Sequence, residues 1–198
     1  MTDEMEKDLA DRVRLIENML AEGRRKTESW GWVFVLWGVA YYVATAWATW
    51  GKSNLAWPVT MIAAAVITAV AASRMSHGQP ETTMGRAIGA IWVSMGCTIF
   101  VLLMSLAYSG RYDVHMFIAI IGAMLALANA TSAIILKWWM QFACAVVWLA
   151  SVVIACFSSD SVTSIDFLVA TFVGMIAFGV YAMILDSRRR RQSGVVHA

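Results

Sequence analysis

The chain has 198 residues, of which 60% are hydrophobic and 14% are charged, and its formal net charge is +2. A soluble domain of this length needs far more polar surface, so the composition excludes a soluble globular protein. The small net charge, with basic residues next to apolar runs, also gives no reason to expect a nucleic-acid partner. The composition instead indicates an integral membrane protein in contact with a lipid bilayer.

The N-terminal segment, residues 1–28, predicts an amphipathic cytoplasmic helix. Apolar residues recur at helical spacing, while charged residues occupy the other faces. The apolar stripe consists of Met5, Leu9, Val13, Ile16 and Leu20. Gly23 is expected to loosen the chain before the basic residues that follow. Three placements of this helix are open: on the membrane surface, on a second copy of the chain, or on another protein.

Six long, nearly charge-free apolar runs follow, and each is long enough to cross a bilayer as a helix. They are expected at 30–50, 53–73, 86–108, 114–136, 138–157 and 165–185. Helices satisfy every backbone group in lipid, and the runs lack the alternation of barrel strands. The predicted fold is an all-α membrane protein with a six-transmembrane-helix bundle over 29–187 and a basic tail over 188–198.

Basic residues are distributed unequally between the two ends of the predicted spans. Ten of them flank the ends that share a side with both termini: Arg24, Arg25, Lys26, Arg74, Arg86, Lys137, Arg188, Arg189, Arg190 and Arg191. The opposite loops contain only Lys52 and Arg111. The positive-inside rule therefore places both termini in the cytoplasm. The expected location is the cell inner (plasma) membrane, which the chain crosses several times.

The six spans group into three hairpins, which suggests a parallel internal repeat. Trp37, Trp92 and Trp148 occupy equivalent positions in the first helix of each hairpin, although chance alignment competes in a chain with ten tryptophans. The layout is similar to that of small bacterial six-helix membrane proteins, including the HdeD-type acid-resistance family. This likeness, which lies in topology and length, implies a stress-response membrane protein.

Most tryptophans lie near the ends of the predicted spans, where their amphipathic rings favour the headgroup region. The expected interface anchors are Trp30, Trp32, Trp47, Trp50, Trp57, Trp138 and Trp139. The deeper Trp37, Trp92 and Trp148 are expected to pack between helices. A ligand pocket lined by these three rings is the alternative.

Several uncharged polar side chains fall inside the predicted spans. They are Tyr41 or Tyr42, Thr45, Ser94, Thr98, Ser105 and Asn129. These residues predict either hydrogen bonds between helices or a weakly polar cavity for a small ligand. Asp160 and Asp166 are assigned to the outer loop between spans five and six. No charged residue is therefore expected deep inside a span, which argues against a proton-coupled pump.

Residues with catalytic or metal-binding chemistry do not group in the sequence. His77 and His115 are expected on opposite sides of the membrane, His197 lies in the tail, and the three cysteines have no paired spacing. We therefore expect no catalytic site, no cofactor and no metal.

Two functions are consistent with this pattern. The first is a non-catalytic structural or accessory subunit of a membrane complex, or a stress-response membrane protein. The alternative is a small transporter or ligand-binding module that uses the polar residues above. A homo-oligomer and a larger membrane complex are both open as assemblies.

Overall fold

The computed structural model describes residues 2–53, 55–76, 83–111 and 113–195. The N-terminal helix α1 spans Thr2–Ser29. It is followed by α2 (Gly31–Gly51), α3 (Ala56–Ser76), α4 (Thr83–Tyr108), α5 (Val114–Leu136) and α6 (Trp139–Phe157). A final rod consists of α7 (Asp160–Thr171), a π-helical segment (Phe172–Ala177) and α8 (Phe178–Val195).

Six helical segments are long and apolar enough to cross a membrane: helices α2 to α6 and the rod over Asp160–Gln192. The fold is therefore a helical membrane bundle, as predicted. The first five spans begin and end within about three residues of the expected positions. Because six crossings bring the chain back to its starting side, we call the side that holds both chain ends the terminal side, and the other the opposite side.

The sixth span differs from its prediction over 165–185 and begins at Asp160. An acidic residue is favourable in the first turn of a helix because the N-terminal end of the helix dipole is positive. Thr163, Phe167 and Ala170 are buried along one face at helical spacing. Asp160 and Asp166 thus belong to the helix, and their assignment to an outer loop is wrong.

The interior of the bundle is formed mainly by α5, α6, α2 and the final rod. Half of the most apolar window of α5 is buried, compared with 17% for α3 and 11% for α4. Helix α3 packs on α2, and α4 packs on α5 and α1, whereas α3 and α4 do not pack together in the described ranges. Helices α3 and α4 are therefore peripheral, and most of their surface lies on the outside of the bundle.

Two glycines let α2 approach the final rod with direct contact between the backbones. A Cβ atom built on Gly31 would lie 2.7 Å from the Gly179 carbonyl oxygen, and one built on Gly179 would lie 2.6 Å from the Gly31 carbonyl oxygen. Small residues are favoured at such crossings because van der Waals contact drives helix association in lipid. This reciprocal contact fixes the first span against the last.

Indole hydrogen bonds close the first two hairpins. Trp37 Nε1 donates to Thr68 Oγ1, and Trp92 Nε1 donates to Ser132 Oγ, both at 3.2 Å. The equivalent Trp148 is fully buried, and its indole lies directly against Gly174 in the π-helical segment. The first two hairpins thus each contain a hydrogen bond from an indole to a hydroxyl of the neighbouring helix. In the third hairpin the Trp148 ring packs against a glycine instead.

The substitution Gly179→Ala is expected to lower the free energy of unfolding by about 1–3 kcal/mol, because the added methyl group would overlap backbone that cannot move aside. Gly96→Ala in α4 is the matched control, since a Cβ atom there meets nothing within 4 Å. Thermal unfolding of both variants in one detergent measures the difference. A similar loss in both variants would show that the Gly31–Gly179 contact is not needed for the packing.

Candidate functional site

The last turns of α1 are fastened to the bundle by an arginine that caps another helix. The Arg24 side chain donates from Nε to the Leu136 carbonyl oxygen and from a terminal guanidinium nitrogen to the Lys137 carbonyl oxygen, both at 2.5 Å. The last carbonyl groups of a helix have no partner within that helix, and a cation there also meets the negative end of the helix dipole. Arg24 therefore joins α1 to the end of α5.

An ion pair between a buried carboxylate and a half-exposed arginine fastens α1 to α8 one turn further along. A carboxylate oxygen of Glu28 lies 3.1 Å from a guanidinium nitrogen of Arg189, and the Glu28 side chain is only 2% exposed. Burial raises the pKa of Glu28 above its usual value, while the positive charge of Arg189 acts in the opposite direction. An unpaired charge is costly at such a site, so Arg189, which lies beyond the apolar part of α8, stabilises the charged form of Glu28.

Gly23 lies inside this docked part of α1. A Cβ atom built on Gly23 would lie 2.7 Å from side-chain atoms of both Leu136 and Met84, so the absence of a side chain lets α1 lie close to α4 and α5. Helix α1 continues through Gly23 to Ser29. The expectation that Gly23 loosens the chain is therefore wrong, because tertiary packing outweighs the low helix propensity of glycine.

The earlier part of α1, residues 5–19, is exposed along its whole length. Its apolar stripe is exposed as well: Met5, Leu9, Val13 and Ile16 each keep more than half of their surface accessible. The i,i+4 ion pair between Asp8 and Arg12 lies on this helix and does not reach the bundle. One helix thus has a fixed end and an uncovered apolar face, which we call the α1 stripe.

A cluster of polar side chains joins three helices on the opposite side. His115 Nδ1 lies 2.7 Å from the Ala155 carbonyl oxygen, and His115 Nε2 lies 2.7 Å from a carboxylate oxygen of Asp160. The buried Thr163 hydroxyl lies 3.4 Å from the same ring. A carbonyl and an ionised carboxylate only accept hydrogen bonds, so both short contacts are satisfied when the ring carries two protons. This His115 cluster links α5, α6 and α7.

Asp166 lies deeper in the same region, on the second turn of α7. Its carboxylate accepts a hydrogen bond of 2.5 Å from the hydroxyl of Ser151, a buried residue of α6. The residue is about 9 Å along the helix axis from Asp160. Asp166 therefore lies on the helix of the sixth candidate span, about two turns from its start, and not in an outer loop. The expectation that no charged residue lies deep inside a span stays a prediction.

The polar residues predicted to line a cavity are divided between two environments. Tyr41 and Asn129 are buried, and the Asn129 amide donates to the Leu125 carbonyl oxygen of its own helix. Thr45 and Thr98 also donate within their own helices, to Tyr41 and Ser94. Ser94 and Thr98 lie on the outward face of α4, where Thr98 lines a groove of about 660 Å³. The structure does not bring the five residues together.

The predicted interface tryptophans also occupy different environments. Trp47, Trp50 and Trp139 are exposed, and Trp30 stacks on Trp32. Trp57 instead packs against Tyr41, Phe117 and Phe167, with its ring centre 4.6 Å from that of Phe117. Trp138 is buried against Phe178. Trp57 and Trp138 thus contribute to the core near the two membrane surfaces.

Sequence reasoning missed the functional pairing of Arg24, Glu28 and Arg189. Arg24 and Arg189 were interpreted as topology signals, and a Glu four residues after Arg24 was the only hint of a docked face. His77 and His197 lie outside the described residues. Within the described ranges, no three His, Cys, Asp or Glu side chains are placed to hold a metal ion.

Comparisons with known proteins give no relative: no family model, no curated protein and no solved structure matches the chain.

The substitution Arg24→Gln is expected to lower the free energy of unfolding by about 1.5–3 kcal/mol, the usual range for hydrogen bonds from a charged group. It should also speed proteolytic cleavage after Lys26, because the end of α1 is no longer fastened to α5.

Arg25→Gln is the matched control, since it removes the same charge from the next, exposed position. Limited proteolysis followed by mass spectrometry locates the cleavage in both variants. Equal cleavage in the two would mean that Arg24 acts only as a charge and does not hold α1.

Proposed function

We propose that this protein is a non-catalytic accessory subunit of a membrane complex, and that it recruits a protein partner through the α1 stripe. The observation that carries the proposal is the contrast within one helix. Residues 20–29 are fastened to the bundle through Arg24, Glu28 and Gly23, whereas residues 5–19 expose an apolar face. A bundle that fixes one end of an amphipathic helix presents the other end as a docking surface.

The charge of α1 supports a protein partner over the membrane surface. Between positions 3 and 22, seven acidic residues (Asp3, Glu4, Glu6, Asp8, Asp11, Glu17 and Glu22) outnumber three basic ones (Lys7, Arg12 and Arg14). Helices that lie on a membrane usually carry Lys and Arg on the polar face, since cytoplasmic headgroups are anionic. The partner expected for α1 has an apolar groove flanked by basic residues.

The location of this partner follows from the proposed topology. The terminal side is the cytoplasmic side of the plasma membrane, supported by the ten basic residues that flank it. A partner of α1 is accordingly a cytoplasmic protein or the cytoplasmic part of another membrane subunit. A stress-response role is supported only by the general layout of the spans.

A small transporter or ligand-binding module is the second candidate function. Asp166 favours it, because an ionisable residue within a membrane span is often part of a ligand or ion pathway. In this structure the Asp166 carboxylate accepts a hydrogen bond from the Ser151 hydroxyl. A small mass that accompanies the protein and disappears in Asp166→Asn would favour this candidate.

The docking proposal is tested by native mass spectrometry of the protein extracted gently from its own membrane. The double substitution Leu9→Glu with Ile16→Glu places charges on the stripe and is expected to remove heavier co-purifying subunits. Both side chains are more than half exposed, so the fold of the bundle does not depend on them.

Leu15→Glu is the matched control, because Leu15 is 61% exposed on the same helix but roughly 100–120° round it from Leu9 and Ile16. The control should retain the partner. If the wild type carries no other subunit, or if both variants lose it equally, the docking role of the stripe is contradicted. Complexes at multiples of 21.8 kDa that are lost in the double variant but kept in Leu15→Glu would assign the stripe to self-association instead.

A further inference from the structure

The four consecutive arginines at the end of α8 do not have the same surroundings. Arg189 forms the ion pair with the buried Glu28, and Arg190 forms an i,i+4 ion pair with Asp186 at 2.9 Å. Arg188 and Arg191 form no ion pair within the described part of the chain. Because they are three residues apart, these two project from the same face of α8. Two of the four arginines are therefore paired with carboxylates of the chain, and the other two are available to bind an anion from outside it.

Arg188 and Arg191 stand at one end of a surface groove of about 330 Å³. Ser187 lines the same end, and Val180, Met183 and Ile184 line the remainder. The apolar part belongs to the membrane-spanning section of the rod, and Val180 and Ile184 are 40% and 47% exposed there. The groove thus runs from lipid-facing apolar surface to two cations and a hydroxyl.

The spacing along α8 matches the structure of a phospholipid. The rise of 1.5 Å per residue places Arg188 about 6 Å and Arg191 about 10 Å beyond Ile184 along the axis. The last apolar turn therefore borders the acyl region, and the arginines reach the level of the phosphates. Arginine binds phosphate oxygens with two parallel hydrogen bonds, and a serine hydroxyl adds a further donor.

We propose that this groove is a binding site for one anionic phospholipid of the leaflet on the terminal side. Arg188, Arg191 and Ser187 bind its phosphate, and Val180, Met183 and Ile184 contact its acyl chain. The site is separate from the α1 stripe and does not depend on the proposed docking of a partner. It also assigns a role to two arginines that positive-inside topology alone leaves equivalent to their neighbours.

Charge and position favour a lipid over the other possible occupants. The acidic half of α1 from a second copy has the right charge but would have to leave the aqueous phase to reach Val180 and Ile184. Free phosphate would meet the arginines but would leave the apolar length of the groove without a contact. A diacyl lipid with an anionic headgroup matches both halves at once.

Native mass spectrometry of the detergent-solubilised full chain tests the proposal. The protein is titrated with phosphatidylglycerol and, separately, with phosphatidylcholine, and the affinity of the first bound lipid is measured. The wild type is expected to prefer phosphatidylglycerol. The double substitution R188Q/R191Q should weaken its binding roughly 25-fold, a factor of about five for each arginine at the membrane surface.

The double substitution R14Q/R190Q is the control, since it removes the same net charge but leaves Arg188 and Arg191 in place. It should change the affinity less than twofold, and excess inorganic phosphate should not displace the bound lipid. Three results would overturn the proposal: equal weakening in both double variants, no preference between the two lipids, or displacement by phosphate. Unchanged lipid binding in R188Q/R191Q together with loss of an oligomer would assign the groove to a second copy instead.

Discussion

The carbonyl groups at the end of α5 have no partner in their own helix, and Arg24 of the N-terminal helix supplies one. This hydrogen bond determines where α1 leaves the bundle, because it ties the first helix of the chain to the end of the fourth span. Glu28 is then brought against α8, where burial would make an unpaired carboxylate unfavourable. The position of the exposed α1 stripe follows from these two contacts.

The same contacts show that the basic residues have different structural roles. Arg24 and Arg189 hold elements of the chain together, whereas Arg188 and Arg191 face outward. The positive-inside rule treats all of them alike, since it counts charge on one side of the membrane. Their contacts separate them into arginines that join helices and arginines that line the groove of the proposed lipid site.

The number, type and approximate bounds of the spans could be predicted because lipid imposes a strong and local rule on the sequence. A buried apolar run of sufficient length has few alternatives to a transmembrane helix. Pro58 lies in the first turn of α3, where a proline costs no internal hydrogen bond, so it does not interrupt the span. The stripe on α1 could likewise be read from helical periodicity.

The site residues could not be predicted to the same extent, because their roles depend on helices distant in sequence. Asp166 was assigned to a loop because a carboxylate lowers the apolar character of its surroundings. Its place on α7 is understood only with Ser151 of α6, whose hydroxyl donates a hydrogen bond to the carboxylate. Trp57 and Trp138 have the sequence positions of interface anchors, yet their rings pack against Phe117 and Phe178 of the core. Gly23 resembles a break in α1 until Leu136 and Met84 are placed beside it.

Hydrogen–deuterium exchange of the intact protein tests most directly whether one helix has a fixed end and an uncovered end. Amides of residues 20–29 should exchange slowly because opening them requires the loss of the Arg24 and Glu28 contacts. Amides of residues 5–19 should exchange much faster in the isolated protein and become protected when the partner is bound. Uniform exchange along the whole of α1 would contradict the account, since it would mean that α1 is either released or covered as a single unit.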